Sequence, residues 1–465
     1  MTSPSAVISS SPIVRFAPSP TGRLHIGNIR TASLNWLLAK KHGGQFILRL
    51  DDTDLERSKE EHVEAIRRDL TWLGFTWVRE ERQSLRSARY AEVAEQLKVA
   101  GFLYPCFEAE DELDRRRKRQ LARGLPPTYD RASLRLTSEE MAAFEAEGRK
   151  PHWRFRLTNT DSRDSLAPMP TLVTWPDLVR GDQSVDVGSL SDPVLIRADG
   201  TCLYTFTSVV DDWDFGITHI VRGEDHVTNS GVQIQIFEAL GARVPLFAHH
   251  SLLVGPDGQT LSKRLGSLSI EGMRADGIEP LAVACHAALV GTSDAIEIYP
   301  SLEALAKPFD LSKISRAPGR FDTKDLLGLN AKLLHGQAFS DVSERLSALG
   351  VGGGEIFWDA VRGNIRRLSN AASWWHIVSS AINPIIEDPA FCQTAAAVLP
   401  PEPWDEKTWD VWISAVKAAS GVKGRALFHP IRMALTGLDA GPELKALLPL
   451  MGRARVEHRL KGLSA

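Results

Sequence analysis

What the sequence is short of sets the first limits. Cysteine occurs 4 times in 465 residues, at Cys106, Cys202, Cys285 and Cys392, and no two form a CxxC pair. Positions so far apart exclude a disulfide framework and a zinc finger by spacing, and they fit a reducing cytosol. No stretch approaches the ~18 uninterrupted apolar residues of a membrane span; Leu281–Val290 comes nearest, and it contains His286. Met1–Ser11 lacks a basic segment followed by an apolar core, so it does not read as a secretory signal. It is expected to be a disordered lead-in. A charge excess is missing too: 55 Lys+Arg stand against 58 Asp+Glu, a net charge of −3. That balance argues against coating nucleic acid everywhere, but it leaves room for local basic faces. What is present is 43% hydrophobic and 24% charged residues, ordinary for a globular chain. The length suggests about three domains.

Periodicity then organises the chain. Ile13–Ala17 reads as a short buried strand, broken by the turn-rich Pro18-Ser19-Pro20-Thr21-Gly22. Gly27–Lys40 places Ile29, Leu34, Leu37 and Leu38 on a helical face, and a second strand, Gln45–Leu50, runs into Asp51-Asp52-Thr53-Asp54. Ser58 and Glu61 have capping-box spacing ahead of a helix whose stripe is Val63, Ile66, Leu70 and Leu73, with Gly74 as its stop. Strand, helix, strand, helix predicts a parallel sheet with right-handed crossovers. Between about 105 and 195 the pattern changes to a strand-rich insert, which opens with the highly charged Glu108–Arg123. Strand–helix alternation returns at Leu203–Asp212, Ile217–Gly223 and Gly231–Leu240, ended by Gly241. Beyond about residue 325 the chain is helix-rich, with glycine breaks at Gly350–Gly354 and Gly421–Gly424. A nucleotide-binding type of sheet, split by an insert, is the expectation.

Two loops can carry chemistry. The first, Arg23-Leu24-His25-Ile26-Gly27-Asn28, leads from a strand into a helix, where unpaired N–H groups and the dipole favour phosphate. Gly27 permits close approach, and His25 can donate to charge developing on phosphorus. The loop is neither GxGxxG nor GxxxxGK[ST]. The second, Gly255–Arg264, ends in Leu261-Ser262-Lys263-Arg264, whose adjacent cations can fold over a triphosphate. Each loop alone is an ordinary turn. Together, HIGN and LSKR resemble the HIGH and KMSKS signatures of class I aminoacyl-tRNA synthetases. Val14–Gly22, Leu48–Asp54 and Val221-Arg222-Gly223-Glu224-Asp225-His226 are similar to glutamyl-tRNA synthetases in particular. So are Lys313-Ile314-Ser315-Arg316, Phe321-Asp322 and Gly424–Phe428, so the resemblance covers nearly the whole chain.

The resemblance implies an α/β fold, with a Rossmann-like parallel sheet split by an inserted acceptor-binding domain and followed by a mainly helical anticodon-binding region. The implied divisions are a lead-in at 1–11, catalytic halves at 12–104 and 198–255, and the insert at 105–197. A stem-contact region with the LSKR loop follows at 256–328, then the helical region at 329–465. It implies two-step glutamylation of tRNA with ATP and Mg²⁺, in a monomeric, cytoplasmic enzyme without membrane contact. Carried over by motif, His25, Lys263 and Arg264 are catalytic; Gly27, Asn28, Asp225, Leu253, Ser262 and Lys263 bind ATP. Arg15, Ala17, Ser19, Asp51, Tyr204 and Arg222 bind glutamate, Arg15 through the side-chain carboxylate.

The departures are Asn28 for the last His of HIGH, Thr260 for the first Lys of KMSKS, Asp51 for the usual Glu, and Ser208 for an Asn near the substrate. The Cys-x-Cys zinc pair of some members is Cys106-Phe107-Glu108 here, with no Cys or His in Asp111–Leu136, so no metal is expected. Arg115–Arg119 with Arg123, Arg366 and Arg367, and Arg453, Arg455, Arg459 and Lys461 are candidate tRNA-facing cations. Trp374, Trp375, Trp404, Trp409 and Trp412 read as core rather than as base-stacking platforms. The alternatives are a tRNA-independent nucleotidyltransferase of the HIGH type, which the long helical half disfavours, and a non-catalytic tRNA-binding homologue, which the retained His25, Lys263, Arg15 and Arg222 disfavour. A truncated paralogue lacks the helical half, and glutaminyl enzymes carry Pro-Glu-Pro-Asn where this chain has Pro-Ser-Pro-Thr.

Overall fold

The computed structural model describes residues 11–124, 127–160, 166, 168–259, 261 and 269–465. The expected lead-in at 1–11 falls almost wholly outside them, as do Thr260, Ser262, Lys263 and Arg264. Two compact units divide the chain: residues 1–272 with 284–322, and residues 273–283 with 323–465.

The first unit is built on parallel strands. Strand β1 (Ile13–Phe16) pairs in parallel with β2 (Gln45–Leu50), and β2 with β3 (Arg79–Arg82). Helices α1 (Ile26–Lys41) and α2 (Glu60–Trp72) make the crossovers. Residues 46–50 of β2 are buried, as a strand covered on both faces requires. Helix α2 buries Val63, Ile66 and Leu70, and Gly74 follows it at φ +82°. Its start differs from the expectation. Lys59, not Ser58, is the N-cap, and no side chain caps the helix. The Lys59 N–H is drawn to Pro20 O (3.2 Å), and that loop contact, absent from local sequence logic, shifts the helix start by one residue.

Helix α3 (Ser87–Val99) leads to a three-stranded antiparallel sheet, β4 (Leu103–Cys106), β5 (His152–Phe155) and β8 (Val194–Ile196), in the order β4-β5-β8. Between these strands lie helices α4 (Glu110–Ala122) and α5 (Ser138–Ala146), and the hairpin β6 (Leu172–Asp177) with β7 (Gly181–Asp186). That hairpin reaches back to the parallel layer. After α6 (Tyr204–Asp214), strand β9 (His219–Gly223) is followed by α7 (Val227–Ala239) and β10 (Leu246–His250). Strand β10 pairs in parallel with β9 on one side and, at Phe247 opposite Asp177, with β6 on the other. Thr218 closes the layer by donating its N–H to Ile13 O (2.9 Å) and accepting the Ile13 N–H at Oγ1 (2.8 Å). The strand sequence is therefore β3-β2-β1-β9-β10-β6-β7. Connections leave β1 in one direction and β9 in the other, so the topology reverses between them. In open parallel sheets the crevice beyond that point is where ligands bind. The short parallel pair β11 (Leu253–Val254) and β12 (Gly319–Arg320) follows.

The second unit is helical from Thr323–Gly336 to Arg453–Leu460. Its tryptophans answer the expectation of core roles: Trp358 and Trp412 are fully buried, and their indole N–H groups donate to Gln337 O (3.0 Å) and Ala395 O (2.9 Å). Trp374 is buried, and Trp375, Trp404 and Trp409 lie against the same core. Gly441 is obligatory here, because a Cβ would fall 2.1 Å from the Trp374 ring. The candidate cation Arg459 is corrected. It is 0% exposed and donates to Leu435 O (2.6 Å), Ser380 O (2.8 Å) and Ala465 O (2.8 Å), so it ties helix ends together and faces no ligand. Arg455 likewise donates to Val378 O (2.8 Å) and Ser379 O (3.0 Å). Among the described residues, no helix is long and apolar enough to cross a membrane.

Candidate active site

The crevice beyond β1 and β9 gathers four of the residues the sequence singled out, Arg15, Asp51, Tyr204 and Arg222. Arg15, from β1, is buried and donates from Nε to Asp212 Oδ1 (3.0 Å) and Oδ2 (3.3 Å). Asp212, near the end of α6, also accepts from Arg49 Nη1 (2.8 Å). Arg49, from β2, is 0% exposed and grips Asp51 with Nε on Oδ1 (2.7 Å) and Nη2 on Oδ2 (3.2 Å). Asp211 approaches Arg49 to 3.7 Å and accepts from Gln83 (2.7 Å), Arg86 (2.7 Å) and Tyr90 (3.0 Å). Burial opposes the charge on Arg49, yet Asp51, Asp212 and Asp211 together hold it well above the ordinary arginine range. Burial also dominates at Asp51 and pushes its carboxyl up to about 6 against the pull of Arg49. Ser208, at the position that departs from the family, receives Arg49 Nη2 at Oγ (3.3 Å).

Arg222, at the end of β9, has surroundings of another kind. It donates to Tyr204 Oη (3.1 Å), Ser230 Oγ (2.6 Å), Gln233 Oε1 (2.8 Å) and His249 Nε2 (3.4 Å). Every one of these partners is neutral, so a buried guanidinium is held with no carboxylate against it among the described residues. Burial lowers its pKa, and the charge of Arg15 adds to the effect. A cradle that orients a cation without neutralising it is suited to an anionic ligand.

His25 caps α1. Its Nδ1 accepts the Gly27 N–H (3.1 Å), while Asn28 Oδ1 accepts the His25 N–H (3.1 Å), a reciprocal capping box. Burial lowers the His25 pKa, so the ring is neutral at pH 7, and with Nδ1 accepting, its proton sits on Nε2. A donor is thereby presented beside a helix N-terminus. A Cβ on Gly27 would sit 3.1 Å from the imidazole, so glycine leaves the ring its seat. The Asn28 departure also has a function: its shorter side chain completes the cap. Ser269, the first described residue after the LSKR loop, forms a bridge with His25, and Ile270 N donates to Leu24 O (3.1 Å). The downstream end of that loop is therefore anchored beside His25.

The other expected site residues are distributed as follows. Ala17 is half-buried and Ser19 exposed in the loop after β1. Tyr204 opens α6, with its ring 5.6 Å from that of His226. Asp225 is exposed on the turn after β9, and Leu253 is buried in β11. Ser262, Lys263 and Arg264 lie outside the described residues. Sequence reasoning missed Arg49, Asp211, Asp212, Ser230, Gln233 and His249. One signal was available: Asp211-Asp212 directly follows the apolar Val209-Val210 inside a helix, where two acids must find cations if buried.

In the β4-β5-β8 region, Cys106, Glu108 and His152 bring their ligand atoms within 4.8 Å of one another. Both Glu108 oxygens already accept hydroxyls, from Tyr129 (2.8 Å) and Ser133 (2.8 Å), and burial pushes the Cys106 thiol up to about 11. The charge of Arg154 bears on both Cys106 and His152.

Comparison with known proteins agrees with this geometry. Residues 13–327 match the family described as tRNA synthetases class I (E and Q), catalytic domain, and residues 388–463 match an anticodon binding domain. The fold is thus that of a class I synthetase. Two curated relatives, both named Glutamate--tRNA ligase 2, come from Methylobacterium sp. (strain 4-46) and Xanthobacter autotrophicus. The first is 58% identical over 98% of this chain and 100% of its own length, the second 57% identical over 99% and 98%. A solved glutamate-tRNA synthetase from Elizabethkingia anophelis is 26% identical with a TM-score of 0.83, covering 97% of this chain and 99% of its own. The chain belongs to the glutamate--tRNA ligase family of class I synthetases.

Proposed function

We propose that this chain activates L-glutamate with ATP and transfers it to the 3′-terminal adenosine of tRNA(Glu) and, in the non-discriminating case, of tRNA(Gln). The observation that carries the reading is the buried Arg222 in its neutral cradle at the topological switch point, close to Arg15. Both guanidiniums take the side-chain carboxylate of glutamate, Asp51 and Ser19 the ammonium end, and Ala17 and Tyr204 line the pocket. The α-carboxylate of glutamate attacks the α-phosphorus of ATP and pyrophosphate leaves. The 2′-hydroxyl of the terminal adenosine then attacks the activated carbonyl, and AMP leaves. Neither step needs a side-chain nucleophile. His25 Nε2–H stabilises the phosphoryl charge and Lys263 and Arg264 the triphosphate. Gly27, Asn28, Asp225, Leu253 and Ser262 complete the ATP site. Mg²⁺ arrives with ATP as part of the substrate.

The divisions proposed for this work are catalytic halves at 12–104 and 198–255, an acceptor-binding insert at 105–197, a stem-contact region at 256–328 and an anticodon-binding region at 329–465. The enzyme works as a cytoplasmic monomer. The insert works without zinc: among the described residues Cys106, Glu108 and His152 offer three donors, one short of a tetrahedral set, and both Glu108 oxygens already accept from Tyr129 and Ser133. Elemental analysis of purified protein finding one equivalent of zinc would overturn that point.

The decisive experiment is glutamate charging of separate tRNA(Glu) and tRNA(Gln) transcripts, with AMP release followed and tRNA omitted in one control. Charging of the first alone marks a discriminating enzyme, and charging of both a non-discriminating one. Folded protein that charges neither defeats the reading.

A further inference from the structure

Behind Arg222 stands a chain of polar groups that the reaction itself does not use. Asp177, the last residue of β6, accepts His249 Nδ1–H at 2.6 Å and the backbone N–H groups of Arg180 (2.8 Å), Val179 (3.0 Å) and His249 (3.2 Å). Burial opposes its charge, but these bonds hold the carboxyl below its usual range. An ionised carboxylate only accepts, so the His249 proton is fixed on Nδ1 and Nε2 presents its lone pair. That nitrogen lies 2.8 Å from Ser230 Oγ and 3.4 Å from Arg222 Nε. Ser230 Oγ also lies 3.2 Å from His226 O, but the accepting Nε2 is the nearer partner for its one proton, and the oxygen in turn accepts from Arg222 Nη2 (2.6 Å). Phe247 stacks on the imidazole at 5.8 Å and 7°, with Trp175 at its edge, so the ring cannot swing.

Ser230, His249 and Asp177 have the spacing of a nucleophilic triad, but Ser230 is 0% exposed and its oxygen is engaged by a cation. We propose that Asp177 and His249 are positioning residues for Arg222: the carboxylate fixes the imidazole tautomer, and the imidazole lone pair with Ser230 fixes the plane of the guanidinium that receives the substrate carboxylate. The arrangement places an imidazole between acid and arginine, so Arg222 is oriented while its charge stays available. A carboxylate in direct contact would take up part of it, as Asp212, shared with Arg49, does for Arg15. The proposal rests on the glutamate-binding role given to Arg222 above.

The test is Asp177→Asn in the full chain, assayed by tRNA charging. An asparagine amide donates to Nδ1, moves the proton to Nε2 and sets an N–H against the N–H of Arg222. The KM for glutamate should rise about tenfold or more, with the KM for ATP within about twofold. Nitrogen-15 NMR of His249 should report the exchanged tautomer. Should Asp177→Asn not fold, Ser230→Ala should raise the glutamate KM in the same selective way, and His249→Gln, whose amide can both donate and accept, should stay nearer the wild type than His249→Ala. An unchanged glutamate KM in folded Asp177→Asn, or glutamate and ATP constants rising together, overturns the proposal. Failure of the wild type to charge glutamate would instead defeat the functional reading beneath it.

Discussion

Arg49 and Arg222 are buried in the same crevice, yet one pairs with Asp51, Asp211 and Asp212 while the other, among the described residues, donates to a tyrosine, a serine, a glutamine and an imidazole. Burial costs both of them hydration. For Arg49 the cost is offset inside the protein, which makes it a fixed part of the scaffold joining β2 to α6. For Arg222 it is offset only in part by neutral partners, and on the proposed role the remainder is met by the substrate carboxylate. Surroundings, not residue type, separate the structural cation from the one proposed to bind substrate.

That difference can be broken from either side. The largest effect is expected from Arg49→Met, which leaves three carboxylates without their central cation and should cost ~3–5 kcal/mol of stability, read from denaturant midpoints. Arg222→Ala should behave in the opposite sense. Folding should be little changed, while kcat/KM for glutamate falls about a hundredfold and ATP binding stays near normal. A large stability loss at Arg222 would erase the distinction. Arg15→Ala should be intermediate: it should harm glutamate use far more than ATP binding, and it should leave Asp212 with Arg49 as its remaining ion-pair partner.

Next comes pH. With Asp51 raised to about 6, its ionised form, which its proposed role at the glutamate ammonium group requires, is lost as pH falls through 6. Glutamate kcat/KM should then drop about tenfold per pH unit below that point, and Asp51→Asn should flatten the profile. The stability term has the other sign. A raised pKa contributes to folding below the unfolded value and is lost as pH rises through about 6, so binding and stability at this residue should trend in opposite directions. The smallest effect is expected from Asn28→Ala, which removes one half of the α1 capping box and should cost about 1 kcal/mol with a few-fold rise in the ATP KM, measured by thermal unfolding and pyrophosphate exchange.

Much of this site was legible because its parts sit at strand ends in distinctive local patterns: Arg15 on β1, Asp51 just after β2, Arg222 at the end of β9 and His25 at the start of α1. The parallel layer and the helical second unit were legible for the same reason, since periodicity is local. The partners were not. Asp212 meets Arg15 across 197 positions and Asp177 meets His249 across 72, distances over which no local pattern reports. Local signals also failed where tertiary contacts outweighed them. The capping spacing of Ser58 and Glu61 lost to the bond between Lys59 and Pro20, and Arg459 read as a surface cation although it is wholly buried. Asn28 looked like a defect in a motif until its bond to the His25 N–H was in view.

The β6–β7 hairpin matters to anyone who would shorten this enzyme. Strand β6 covers the flank of β10 through Phe247 opposite Asp177 and through Leu178 N–H on Phe247 O (2.9 Å). Excising 105–197 to leave a minimal catalytic chain would expose an edge strand rich in buried side chains, the kind of edge that recruits other strands. Such a truncation should aggregate unless the hairpin is kept and joined to the remaining layer, so the insert is not a detachable module.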